Sequence, residues 1–392
     1  MGINNITGPP VEGDDFFGRE KELEFAWGHI KKGNSLLLSA PRRVGKSSFA
    51  KKLLEYARED NWNTLELNLE EVKTEEGFVK LFIEKIQEEC WWLKAKEKTN
   101  NTIANILESI KPTFKIGDVE SSVEWKIQKA DIYNKLKTLI DHKEETLIMV
   151  DEVTILLNSF IKIDKENGIN DVVFFLNWLR SFRQVTGTKI HWIFCSSIGI
   201  ENFTSRHNLS YTLNDVSSLQ LSEFTKEQAT NFIKELAISE NLKIEDVHIT
   251  YMLDKLVWNL PYFIQILFLN IDKLVKIHGK TISEQTINEA YQTLISEKHL
   301  NTWDERLNEY GEFESYTRLL LKNLSKTKEG ESRDNLYNML YAKINDGEKT
   351  EIVLNKLLYM LKNDGYLIDT EDSRYTFRSP LLRDFWYNRF SR

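Results

Sequence analysis

Two cysteines in 392 residues leave no room for a disulfide framework or a zinc cluster. Cys90 stands beside Trp91 and Trp92, and Cys195 lies inside an apolar run, so both read as packing residues of a protein kept in a reducing compartment. Nor does any apolar stretch approach the ~20 residues that a membrane-spanning helix needs. Positive charge is not in excess: 52 Lys and Arg stand against 60 Asp and Glu, a net charge of −8. Such a balance argues against a chain that coats nucleic acid non-specifically and leaves only a local basic patch for that kind of partner. The opening residues Met1–Asn5 show neither a basic-then-apolar signal order nor a lipidation signal, so the expected location is the cytoplasm. Repeats and low-complexity tracts are missing. With 41% hydrophobic residues over this length, a globular chain of two or three domains is expected.

What is present is concentrated in two motifs. Leu36-Leu37-Leu38-Ser39 reads as a buried strand, and it runs through Ala40-Pro41-Arg42-Arg43-Val44-Gly45-Lys46-Ser47-Ser48 into a helix. Strand, loop and helix in that order are the context a phosphate-binding P-loop requires. Backbone N–H groups of residues 42–47 can wrap a β-phosphate, Lys46 can reach the β- and γ-phosphate oxygens, and the Ser47 hydroxyl can ligate Mg²⁺. Ala40 occupies the place of the loop's first glycine, which is tolerable where φ stays negative. About a hundred residues on, Thr146-Leu147-Ile148-Met149-Val150 is a continuous apolar run ending in Asp151-Glu152. Carboxylates at the C-terminal end of a central strand sit where open α/β sheets bind ligands. Asp151 is placed to hold the Mg²⁺ water shell and Glu152 to orient and deprotonate an attacking water, which points to hydrolysis of a bound nucleotide.

Around these motifs the chain alternates strands and helices. Residues 64–69 alternate as a half-buried strand, residues 73–143 form a charged and mostly helical insert broken near Lys111–Gly117, and residues 171–184 form an amphipathic helix. Lys189–Cys195 and Ser217–Leu221 complete a mostly parallel sheet. His191 inside the fourth strand reads as a packed side chain. From Thr225 to about Lys298 the pattern is all-helical, interrupted at Asn259-Leu260-Pro261-Tyr262. Beyond Asn301, helical segments near 313–324, 333–344 and 350–363 precede two short alternating strands, 366–369 and 375–378, the pattern of a winged helix-turn-helix. The expected domains are therefore a P-loop α/β domain over 1–222, an all-α lid over 223–300 and a winged helix over 301–392.

Taken with Phe17-Gly18-Arg19-Glu20, Ser196-Ser197-Ile198-Gly199, Leu260-Pro261-Tyr262-Phe263 and the run Phe377–Trp386, these motifs resemble those of the archaeal-type, STAND-related AAA+ ATPases over nearly the whole chain. The resemblance implies ATP and Mg²⁺ as ligands, Gly18, Arg19 and Glu20 flanking the adenine, Ser197 sensing the γ-phosphate and Pro261 touching the base from the lid. Two departures stand out. The lid reads Asn259-Leu260-Pro261 where relatives have Gly-x-Pro, and Leu209–Leu213 replaces a Leu-Tyr-Gly-Arg element, which makes Arg206 the nearest arginine-finger candidate. Arg180 and Arg183 read as helix-surface charges. The function implied is an ATP-driven switch that acts on a protein partner or on further copies of itself, as many relatives do in defence or toxin-type systems. The alternative is a DNA-binding initiator or regulator. Residues 301–392 hold 15 Lys and Arg against 16 Asp and Glu, which disfavours duplex binding, although Arg374, Arg378, Arg383, Arg389 and Arg392 could form a patch.

Overall fold

The computed structural model describes residues 2–89, 119–196 and 199–391. Cys90 and the expected break near Lys111–Gly117 lie outside these residues. The chain divides into two compact units: Arg19–Ser39 with Lys46–Leu221, and Met1–Gly18 with Ala40–Gly45 and Ser222–Arg392.

The first unit is built on five parallel strands, β1 (Ser35–Ser39), β2 (Asn63–Asn68), β3 (Thr146–Asp151), β4 (Ile190–Cys195) and β5 (Val216–Gln220), in the order β2-β3-β4-β1-β5. Strands β1, β3 and β4 lie inside the sheet and are covered on both faces, which is why they are uninterrupted apolar runs. The edge strands β2 and β5 alternate, because an edge keeps one row of side chains in contact with water. Among the described residues the helices that accompany the sheet are α1 (Glu20–Ile30), α2 (Lys46–Glu59), α3 (Glu75–Glu88), α4 (Val119–Thr138), α5 (Val153–Ile163), α6 (Gly168–Arg183) and α7 (Ile200–Arg206).

The charged insert contributes core and not only cover. Phe78 and Phe82 of α3, Tyr133 and Leu136 of α4, and Phe175, Trp178 and Phe182 of α6 are buried in one cluster with Leu65 and Leu67 of β2. Trp178 Nε1 donates to the Tyr133 carbonyl at 2.8 Å, which removes the cost of burying an indole N–H. His191 is a packed side chain, buried beside Glu145 at 3.4 Å, and burial lowers its pKa. Cys195 is a free, buried thiol.

The second unit carries α8 (Lys226–Ser239), α9 (Asp246–Leu256), α10 (Pro261–Lys276), α11 (Glu284–Ser296), the short α12 (Asn301–Glu305) and α13 (Glu314–Leu324). Then follow β6 (Glu331–Ser332), α14 (Arg333–Ile344), α15 (Gly347–Asn363), β7 (Leu367–Asp369), β8 (Arg374–Phe377) and α16 (Pro380–Trp386). The last three strands form an antiparallel sheet in the order β6-β8-β7. Strand β6 is not among the sequence expectations; it is two residues long and pairs with β8 some forty residues away, so no local periodicity marks it. A capping box of Thr225 and Gln228 starts α8, and Pro261 opens α10 at its first position, where a missing N–H costs nothing. The N-terminal segment packs on this unit through Phe17 against Phe224 and Phe232 and through reciprocal hydrogen bonds between Asn5, Ile6 and Gln265.

Candidate functional site

In the first unit the polar site grows from the carboxyl ends of the central strands. Helix α2 begins at Lys46, which is buried, and the next residue, Ser47, donates its hydroxyl to Asp151 Oδ2 at 2.6 Å. Asp151 is the last residue of β3. Burial raises its pKa above the ordinary carboxylate value and Glu152 adds to that rise, while the Ser47 hydroxyl and the Lys46 charge oppose it. Glu152 leaves the strand in the left-handed region, φ 58° and ψ 32°, and caps α5. Its backbone N–H donates to the Cys195 carbonyl at 3.0 Å and to Asp151 Oδ1 at 3.0 Å. A non-glycine residue seldom adopts this conformation, and here the break in the strand is fixed by two acceptors at once.

Further polar residues of this unit can be placed beside these. Ser196, directly after β4, donates to Thr154 Oγ1 at 2.6 Å and ties the end of β4 to α5. Ser39 Oγ donates to Glu201 of α7 at 3.3 Å. Ser197 lies outside the described residues. Arg206 ends α7 and is exposed, its guanidinium 6.0 Å from the Phe203 ring centre. Arg183 corrects its reading as a surface charge: it is 3% exposed and bonds Asp215 with two nitrogens and the Thr212 carbonyl with one, an anchor for the segment before β5. Arg180 has its Nε buried, with the guanidinium 5.7 Å from the Tyr211 ring. Arg19 caps α1 at φ 68° and is buried with an ion pair to Glu22 at 3.7 Å, whereas Glu20 is exposed.

The second unit holds the remaining expected residues. Pro41, Arg42, Arg43, Val44 and Gly45 belong to it, together with Gly18 and Pro261. Arg43 and Gly45 take positive φ of 67° and 98°, and Ala40 does not, so the alanine sits without strain where a glycine is usual. Val44 is buried. The Arg43 guanidinium lies 4.4 Å from the Tyr262 ring centre, next to Pro261, and Nη1 donates to the Gly8 carbonyl at 3.4 Å. Burial raises the Tyr262 pKa against the opposing charges of Arg43 and Arg42.

No protein-family model and no curated protein matches the chain. Solved structures do. The Walker-type ATPase PABY2304 of Pyrococcus abyssi matches with a TM-score of 0.62 at 15% identity, over 97% of this chain and 99% of that one. The ORC2 protein of Aeropyrum pernix, solved as ADPNP–ADP complexes, matches with a TM-score of 0.56 at 11% identity, over 96% of each chain. The chain, with its five-stranded parallel sheet and accompanying helices, thus shares its fold with these two proteins.

Proposed function

We propose that the chain is an ATP-binding and ATP-hydrolysing switch of the AAA+/STAND type. The observation that carries this reading is the 2.6 Å hydrogen bond joining Ser47, at the start of the P-loop helix, to Asp151, at the end of the acid-bearing strand. A hydroxyl and a carboxylate so close are hard oxygen donors of the sort Mg²⁺ takes. Ser47 and Asp151 would hold that Mg²⁺, whose charge would offset the negative charge that grows on the phosphate oxygens.

The remaining chemistry falls to the chain's own groups. Loop amides 42–47 and Lys46 bind and orient the β- and γ-phosphates. Glu152, at the left-handed turn that follows the strand, accepts the proton of the attacking water. By the resemblance, Gly18, Arg19, Glu20 and Pro261 are the candidate base contacts, and Ser197 and Arg206 the candidate γ-phosphate contacts. The helical lid (223–300) and the winged helix (301–392) would then carry the nucleotide state to a protein partner or to a further copy of the chain.

In Glu152→Gln, ATP binding is expected to persist while turnover falls roughly 10²-fold or more, since the variant keeps the shape and loses the base. Undiminished steady-state hydrolysis would move the base to another carboxylate, Glu201 first.

The three-helix and antiparallel-sheet arrangement at the C-terminus also supports the alternative, a winged helix on duplex DNA. Its arginines are engaged internally, however: Arg374 holds the Gly330 carbonyl at 2.7 Å, Arg383 holds Asp384 at 2.7 Å and Arg389 holds Asn301 at 2.6 Å. Duplex binding that falls steeply with salt and is lost in Arg374→Glu would promote that alternative.

A further inference from the structure

The proposed chemistry does not use Trp258, yet the backbone is strained to hold it. The preceding Val257, a β-branched residue that is 60% exposed, adopts φ 59° and ψ −47°. It closes a three-residue turn in which the Trp258 N–H donates to the Leu256 carbonyl at 2.6 Å, and a second such turn follows from the Leu260 N–H to the Trp258 carbonyl at 2.9 Å. A γ-turn with positive φ is rare, and an exposed valine gains nothing from making it. The beneficiary is the next residue. The Trp258 indole is 2% exposed, packs edge-on to Phe263 and Trp303 with centres 5.8 and 5.9 Å away, and lies under the Arg378 guanidinium at 5.1 Å.

Pro41 of the phosphate-binding loop and Gly365 meet at the tip of this indole. A methyl group placed on Gly365 would lie 2.7 Å from Trp258 Cη2 and 2.9 Å from Pro41 Cβ, so loop, indole and turn are in direct contact with no slack. The turn itself is rigid. Gly365, at φ 82°, ends α15 in a Schellman motif, with its N–H on the Lys362 carbonyl at 3.1 Å and the Tyr366 N–H on the Leu361 carbonyl at 2.9 Å. The preceding Asp364 is buried between Arg306 Nη2 at 3.0 Å and the Tyr310 hydroxyl at 2.7 Å. Two residues beyond Pro41, the Arg43–Tyr262 contact pins the other side of the loop to α10.

We propose that Gly365 and Trp258 are positioning residues for the phosphate-binding loop. The turn ending α15 bears on Pro41 directly, beside the indole, and sets the loop's conformation. Nucleotide affinity therefore depends on the C-terminal helices, and by linkage nucleotide occupancy acts back on them. The nucleotide half of this inference rests on the reading given under Proposed function.

The test compares Gly365→Ala with Gly311→Ala in the full chain. Both put a methyl on a glycine of positive φ, 82° and 60°, but the methyl at 311 meets nothing within 4 Å. Titration calorimetry with ATP and ADP should show roughly ten-fold weaker binding in Gly365→Ala, a typical coupling strength, and wild-type binding in Gly311→Ala. Wild-type affinity in a folded Gly365→Ala, or the same weakening in Gly311→Ala, overturns the inference. Hydrogen exchange of residues 36–46 without nucleotide separates it from the nucleotide reading. Faster exchange in Gly365→Ala than in Gly311→Ala upholds the positioning role even if the wild type binds no nucleotide, and equal exchange refutes it. Should Gly365→Ala fail to fold, Trp258→Leu replaces it in both measurements with the same expected directions.

Discussion

Pro41 in the loop and Ser47 in the first turn of α2 stand six residues apart and are held by opposite kinds of force. Ser47 is fixed by a 2.6 Å hydrogen bond to a largely buried carboxylate. Pro41 is fixed by close packing against the turn at Gly365, beside the Trp258 indole, and its neighbour Arg43 by stacking on Tyr262. On the function proposed above, the polar end is the chemistry that a phosphate and a cation require, and its residue types answer to that proposed function. The packed end is free to use any complementary surface, and in this chain the surface comes from aromatic residues far along the sequence. One loop thus answers to two sets of constraints, one catalytic and one mechanical.

The largest expected effect breaks the mechanical side. Asp364→Ala leaves Arg306, 2% exposed, without its carboxylate, and removing one partner of a buried pair costs ~3–5 kcal/mol. Denaturant unfolding should show that loss, and the exchange of residues 36–46 should rise with it. A next, smaller effect breaks the polar side. Ser47→Ala removes a hydrogen bond to a charged group, worth ~1.5–3 kcal/mol, and should bind ATP with the same affinity in Mg²⁺ as in EDTA. Wild-type affinity should fall to that level on chelation. If Ser47→Ala instead keeps the full Mg²⁺ response, Ser47 is no metal ligand.

A third prediction sharpens the comparison by asking whether buried charge in the sheet unit behaves like the Asp364 knot. Glu75 of α3 is buried, with Oε2 2.5 Å from Lys129 of α4, and Lys129 is also 2.7 Å from Asp171 of α6. Burial pushes the Glu75 pKa from 4.5 up to about 7, outweighing the pull of Lys129, and Asp171 and Glu76 push in the same direction. The folded state therefore holds this proton more tightly than the unfolded chain does. Stability from this group is present in full below pH 4.5 and declines as pH rises to about 7. The slope should reach at most about 1.4 kcal/mol per pH unit, and Glu75→Gln should flatten it. A wild-type slope that survives in Glu75→Gln would assign the titration to another group.

The residues that the sequence makes legible are those whose identity is dictated locally. Leu36–Ser39 and Thr146–Val150 announce inner strands by uninterrupted apolar character, and Lys46, Ser47, Asp151 and Glu152 stand out by residue type and order. Helix α6 is legible by its period, although it begins at Gly168, three residues before the expected start, because the Asn167 turn carries no apolar signal. What escapes is set by partners distant in sequence. Arg183 looks like a surface charge until Asp215, thirty-two residues away, is brought to it. Strand β6 exists only because β8 lies beside it. Trp258 and Gly365 look like an ordinary core residue and an ordinary helix stop, and only the fold brings them to Pro41.

The central claim is that the loop binds the phosphates of ATP through Lys46, which the structure buries at the start of α2. Calorimetric titration of ATP·Mg²⁺ into the full chain, wild type beside Lys46→Ala, tests it most directly. The predicted result is saturable binding by the wild type and a loss of ~2–4 kcal/mol in the variant, roughly 30- to 1000-fold in Kd. Equal binding by the two proteins would contradict the claim.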